Sequence, residues 1–235
     1  VLADGAHAIS ATLDGRKIGS VADATSFSFY VTKGITTGEG GIVTSPDPEV
    51  TDRVRRLALH GMSSDAWKRY SDRGPWYYEV LEAGFKYNMN DVQAALGLCQ
   101  MERVDEFRRA RERIASAYRE GLMDDDIVRT PPEFDRGHHA WHLYTIQIEP
   151  ERLTISRDAF IRGLLAEGVG VSVHFIPLHY HPFFREHLGL GKGSFPATEE
   201  YFERAVSLPI YPGMSENDVE DVVTAVRKLT RYYRR

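Results

Sequence analysis

The chain has 235 residues, enough for one large domain or one and a half ordinary ones. Its 29 basic and 34 acidic residues leave a formal net charge of −5, which gives no electrostatic reason to expect nucleic acid or an anionic membrane as partner. A single cysteine, Cys99, excludes an internal disulfide and points to a reducing, cytoplasmic setting, and no apolar run approaches the ~20 residues of a spanning helix.

The chain opens on Val-Leu-Ala-Asp-Gly-Ala, which reads as the end of a buried strand and the turn after it, and hence as the C-terminal part of a longer protein. Residues 24–30 alternate small polar with aromatic side chains, as a strand does, and 41–45 form a second short strand. A helix to about His60 follows, with Val50, Val54 and Leu57 on one stripe. Residues 62–83, which hold Trp67, Trp76, Tyr77 and Tyr78, read as a long aromatic loop, of a kind that is functional or packed on a partner.

Asp91 to about Leu122 is the longest helical segment, and 124–137, with its three aspartates and Pro131-Pro132, is the linker candidate. This places a boundary at 122/123, between a larger domain (1–122) and a small α/β domain (123–235). In the second part, His142–Glu149 alternates as a strand, and Ser156 caps a helix burying Phe160, Ile161, Leu164 and Leu165 and ending at Gly168. Val169–Phe175 reads as another strand. Ser215 with Asp218 starts a last helix whose stripe is Val219, Val222, Val223, Val226 and Leu229.

Three chemically apt residues come in order. Asp4 follows a strand, where α/β sheets place ligand-binding groups. Ser28 and Lys33 close the stretch Ser28-Phe29-Tyr30-Val31-Thr32-Lys33, and Gly34, Gly38, Gly40 and Gly41 then make the backbone pliable. A carboxylate, a hydroxyl and a primary amine are the groups that pyridoxal-phosphate chemistry asks of a protein: one for the ring nitrogen, one for the phosphate, one for the aldehyde. Taken singly, each has a plainer reading as a turn former or a solvated surface residue.

The ordered set resembles the DegT-type sugar-nucleotide aminotransferases. The likeness is carried by Ala3-Asp4-Gly5-Ala6-His7-Ala8, Gly15-Arg16-Lys17-Ile18-Gly19-Ser20, Ser26-Phe27-Ser28-Phe29-Tyr30 through Lys33 to Gly41, Gly84-Phe85-Lys86-Tyr87-Asn88-Met89, Gln93-Ala94-Ala95-Leu96-Gly97 and Leu208-Pro209-Ile210-Tyr211-Pro212-Gly213-Met214. It covers nearly the whole chain.

The resemblance implies an α/β, fold-type-I pyridoxal 5′-phosphate (PLP) transferase: part of the large domain with a mixed, mostly parallel sheet, then a small α/β domain. It implies that Asp4 pairs with the pyridinium nitrogen, that His7 stands near the ring hydroxyl, that Ser28 binds the phosphate and that Lys33 is the Schiff-base lysine and general acid/base. The segment Gly84–Met89 would reach the cofactor of a neighbouring subunit in a homodimer with shared sites. Many relatives read Asn-Tyr-Arg where this chain has Lys86-Tyr87-Asn88, which leaves open whether Lys86 or Asn88 makes that contact. Gly34 also departs from the commoner Asn or His. The stretches His60–Trp67 and Ser172–His179 look like the branch that aminates a keto sugar at C4, with His174 and His179 as substrate contacts, glutamate as amino donor and a nucleotide-linked sugar as acceptor. The family's phosphate loop and ring-stacking aromatic are N-terminal to the matching segment, so this chain alone is expected to bind PLP poorly.

The sequence also admits two other readings. One is a non-catalytic regulator on the same fold, against which the retention of Asp4, Ser28 and Lys33 speaks. The other is a metal-dependent hydrolase built on His138, His139 and His142 or on His174, His179 and His181, against which the lack of a His-Glu-x-x-His pattern and of a second cysteine speaks, so no metal ligands are assigned.

Overall fold

Two units divide the chain in the computed structural model, which describes residues 1–63 and 78–235. The first holds Val1–Glu106 and Phe134–Ala140, the second Phe107–Glu133 and Trp141–Arg235. Of the long aromatic loop, Trp67, Trp76 and Tyr77 lie outside the described residues.

The first unit is built on a three-stranded mixed sheet of order β1-β4-β5 (Leu2–Asp4, Ala24–Ser28, Gly41–Thr44). Strand β1 pairs with β4 in parallel, Asp4 opposite Ser26, and β4 pairs with β5 antiparallel, Ser28 opposite Gly41. Because side chains alternate along a strand, β4 buries Thr25, Phe27 and Phe29 on one face and turns Ser26 and Ser28 to the other. Strand β1 is more open than expected, with Leu2 and Asp4 exposed. A small hairpin, β2 (Thr12–Leu13) with β3 (Arg16–Lys17), is tied to the 134–140 segment by the Thr12 N–H on the His138 carbonyl (2.9 Å) and by Arg136 on Asp14.

Helix α1 (Pro48–Ala58) is capped by Asp47, which accepts from the Glu49 N–H, and has proline in the first turn, where its missing N–H costs nothing. The single long helix expected from Asp91 is instead two: α2 (Asp91–Glu102) and α3 (Val104–Leu122), separated at Arg103. Helix α2 carries a capping box between Asn90 and Gln93.

In the second unit, β6 (Val128–Arg129), β7 (Tyr144–Ile148) and β8 (Ala205–Leu208) form an antiparallel sheet of order β6-β7-β8. Strand β6 lies within the stretch read as linker. The expected strand Val169–Phe175 is reduced to one bridge, Ser172 with Ser207. The core joins Tyr144, Ile146 and Ile148 of β7, Ile114, Tyr118 and Leu122 of α3, Phe160 and Leu164 of α4 (Arg157–Ala166), and Val219, Val222, Val226 and Leu229 of α7 (Glu216–Tyr232). Ser156 caps α4 and Ser215 with Asp218 boxes α7, as their sequences foretold. Leu165, expected inside, is exposed, and Ile161 and Val223 are partly buried. Two further helices, α5 (Pro182–Leu188) and α6 (Pro196–Arg204), lie between α4 and β8. Inside the core, Trp141 tilts on Tyr144 at 5.6 Å and Tyr144 on Tyr118 at 5.1 Å. Among the described residues no helix is long and apolar enough to cross a membrane.

Candidate active site

Parallel pairing puts residues in register on the same side of a sheet, so Asp4, Ser26 and Ser28 share one face, the face opposite the buried Phe27 and Phe29. Asp4 is exposed, and its Oδ1 accepts from the Ala6 N–H at 2.9 Å, which folds the chain into the turn that carries His7, itself exposed. Gly5 has no room for a side chain: a Cβ there would lie 2.7 Å from the Thr25 methyl. Ser28 is half-buried, its Oγ 3.3 Å from the Tyr30 N–H.

Lys33 sits in the loop between β4 and β5. Its N–H donates to the Tyr30 carbonyl (2.9 Å) in a tight turn, and its side chain is half-buried. The loop closes on Phe29: the Thr37 N–H and the Thr36 hydroxyl both donate to the Phe29 carbonyl, and the Phe29 N–H donates to the Gly40 carbonyl. Ile35, at 1% exposure, anchors it by burial within the first unit. From α2, the Gln100 Oε1 accepts from the Thr36 N–H and the Gln93 Nε2 donates to the Glu39 carbonyl, both at 2.9 Å. The two glutamines are seven residues, two helical turns, apart and so lie on one face. Their clamping role went unread in the sequence, where only the spacing hinted at it.

Lys86 and Asn88 are both exposed and hydrogen-bonded to each other, Nζ to Oδ1. The segment carrying them is stitched to the end of α1 by His60 on Phe85, Phe85 on Leu57 and Tyr87 on Ala58, all through the backbone. His60 holds a positive φ of 59°, a backbone role at the end of α1.

In the second unit, His174 is half-buried with Nδ1 2.9 Å from the Ser207 Oγ. His179 is 4% exposed, its Nε2 lies 2.9 Å from the Glu199 carboxylate, and its ring packs edge-on to Phe195, so that nitrogen is engaged inside the protein. The Glu199 carboxylate also accepts from the N–H groups of Gly193 and Phe195. Burial alone would raise its pKa; the Gly193 amide, His179 and the Phe195 amide outweigh burial and bring it down to about 2. Among the described residues no three His, Cys, Asp or Glu side chains converge as a metal site requires.

The carboxylate and hydroxyl on one sheet face, with an amine on the loop that leaves it, make a donor set that fits a pyridoxal phosphate: an acid for the ring nitrogen, a hydroxyl for the phosphate, an amine for the aldehyde. Comparison with known proteins bears on the same point. Residues 1–227 match the DegT/DnrJ/EryC1/StrS aminotransferase family, whose aminotransferases depend on PLP. The uncharacterized protein MJ1066 of Methanocaldococcus jannaschii is 51% identical over 97% of this chain and 59% of its own length. The spore coat polysaccharide biosynthesis protein SpsC of Bacillus subtilis is 47% identical over 98% of this chain and 60% of its own. The chain thus spans about 60% of the length of these relatives. Among solved structures, the PLP form of the sugar aminotransferase Spr1654 from Streptococcus pneumoniae superposes with a TM-score of 0.87 at 28% identity, over 98% of this chain and 57% of that one. The α/β, fold-type-I architecture follows from these superpositions.

Proposed function

Because the chain belongs to the DegT/DnrJ/EryC1/StrS aminotransferase family, we propose that it carries the cofactor lysine of a cytoplasmic aminotransferase that moves an amino group from glutamate to a nucleotide-linked 4-keto sugar, in the making of amino sugars or cell-surface polysaccharide. When bound, PLP supplies an electron-withdrawing ring that stabilises the carbanion left when the amino acid loses its Cα proton. Asp4 keeps the ring nitrogen protonated, and His7 lies by the ring hydroxyl. Ser28 donates to the phosphate. The Lys33 Nζ is the group that would hold the cofactor's aldehyde and serve as general base and acid for the proton. The Lys86–Asn88 pair acts as one unit toward the cofactor of the second subunit in a homodimer. His174, steadied by Ser207, faces the sugar.

The observation that carries this reading is the register of β1 on β4, which sets Asp4 and Ser28 on one face of the sheet whose next loop brings Lys33. The test is absorbance near that of a protein-bound imine in the purified protein, with whatever flanking polypeptide it carries in the cell. Borohydride and Lys33→Ala should each abolish it, and glutamate should convert it to the amine form. A wild-type protein that takes up PLP without such a band refutes the assignment of Lys33.

A further inference from the structure

Glu199 lies in the first turn of α6, with its side chain 8% exposed, and the His179 side chain is 5% exposed. A carboxylate so enclosed is costly unless its oxygens are satisfied. Here they are: Oε1 accepts from Gly193, Phe195 and His179, and Oε2 from Gly193. One acidic group thereby ties together the loop before α6 and the single helical turn Leu178–Tyr180. The chain just before that turn is fastened a second time. Ser172 exchanges backbone hydrogen bonds with Ser207 (3.2 and 2.8 Å), and the His174 Nδ1 meets the Ser207 hydroxyl. Between the two fastenings run Phe175, Ile176, Pro177 and Leu178. Pro177 is buried, while Phe175 and Leu178 are 66% and 65% exposed.

We propose that Glu199 is a positioning residue: acting through His179, it holds the segment His174–Leu178 rigid, so that His174 and the side chains beside it meet the keto-sugar ring in a fixed arrangement. This rests on the reading of His174 as a sugar contact. On that reading the amino donor, which has no sugar ring, does not depend on the segment, so the two halves of the reaction should separate.

Glu199→Gln keeps the shape of the side chain and removes the charge that binds His179 and the two amides. Glu199→Ala removes both. His179→Phe keeps the ring packing and the Gly193 and Phe195 contacts but cuts the link to the segment. Backbone hydrogen exchange in all three should quicken at 174–180 while β7 and β8 keep wild-type protection, and only the Glu199 variants should also quicken at 193–195. In the Glu199 variants the KM for a keto-sugar nucleotide should rise roughly tenfold to a hundredfold, as small misplacements of binding groups do. The rate at which glutamate converts the cofactor should stay within about twofold of wild type. Unchanged exchange at 174–180 would overturn the proposal, as would quickening spread evenly over the unit or an equal loss in both half-reactions. A wild-type protein without any glutamate half-reaction would sink the aminotransferase reading instead, and the exchange data would still decide whether Glu199 tethers the segment.

Discussion

Asp4 stands directly opposite Ser26 in the parallel pairing of β1 with β4, and the two-residue period of a strand carries that relation on to Ser28. Position on the sheet face, not nearness in sequence, is what puts an acid and a hydroxyl 24 residues apart on one side of the sheet. Asp4→Asn keeps the size and the turn with Ala6 but cannot hold a proton on a ring nitrogen. A charge-assisted hydrogen bond contributes about 1.5–3 kcal/mol, so transamination by the Asp4→Asn protein should fall roughly 10- to 100-fold, with weaker cofactor binding by spectrophotometric titration. Wild-type turnover in that variant would remove Asp4 from the site.

Two tyrosines in the second unit make opposite predictions from one substitution. The Tyr118 hydroxyl donates to the Pro209 carbonyl at 2.7 Å, while the buried Tyr144 hydroxyl has no hydrogen-bond partner among the described residues. Burial pushes the phenol of Tyr144 up to about 12, so both stay protonated at any ordinary pH. Tyr118→Phe strips a buried carbonyl of its donor and should cost about 1–3 kcal/mol; Tyr144→Phe should be close to neutral. Urea unfolding of both variants, with unchanged m-values, measures the contrast.

Acid should act on Glu199. Its folded pKa of about 2 lies below the unfolded value near 4.5, so its contribution to stability is fully present above about pH 4.5 and is lost as pH falls toward 2. The groups facing it are His179, the Tyr180 phenol and the amides of Gly193 and Phe195, with Lys192 engaged by Glu203. Between pH 4.5 and 2, the stability of Glu199→Gln should therefore fall less steeply than that of wild type. Parallel curves would show that folding does not lower the pKa of this carboxylate.

Gly61 turns the chain at φ 71°, and a Cβ there would lie 1.8 Å from the Glu82 carbonyl oxygen. Gly61→Ala must break the backbone bonds that hold the Lys86–Asn88 segment to the end of α1, at a cost of at least about 1 kcal/mol from the left-handed backbone alone. Hydrogen exchange should rise at 57–62 and 81–87 and leave the core of the second unit unchanged. Wild-type exchange would mean that the turn can relax without cost.

Elements whose signals are local were legible. Ser156 and Ser215 announce their helices because a cap acts within four residues, and the stripe from Val219 is a core face because helical period and burial coincide. The alternation of Ser26 and Ser28 fixed their face. Other features depend on distant partners. Apolar periodicity runs straight through Arg103 and hides the break between α2 and α3. Strand β6 is two residues long and exists only because β7 lies beside it, so it passed as linker. Val169–Phe175 has a strand's composition but pairs only through Ser172. Nothing near His179 in sequence reveals that Glu199, 20 residues on, takes its ring nitrogen.

The ladder of rings from Tyr118 through Tyr144 to Trp141 has an optical consequence. At spacings near 5 Å, light absorbed by the phenols drains into the indole before either tyrosine can emit. Excitation at a tyrosine wavelength should thus yield tryptophan-coloured emission while the core holds, and blue-shorter phenol emission should appear once it melts, an internal gauge that needs no attached dye.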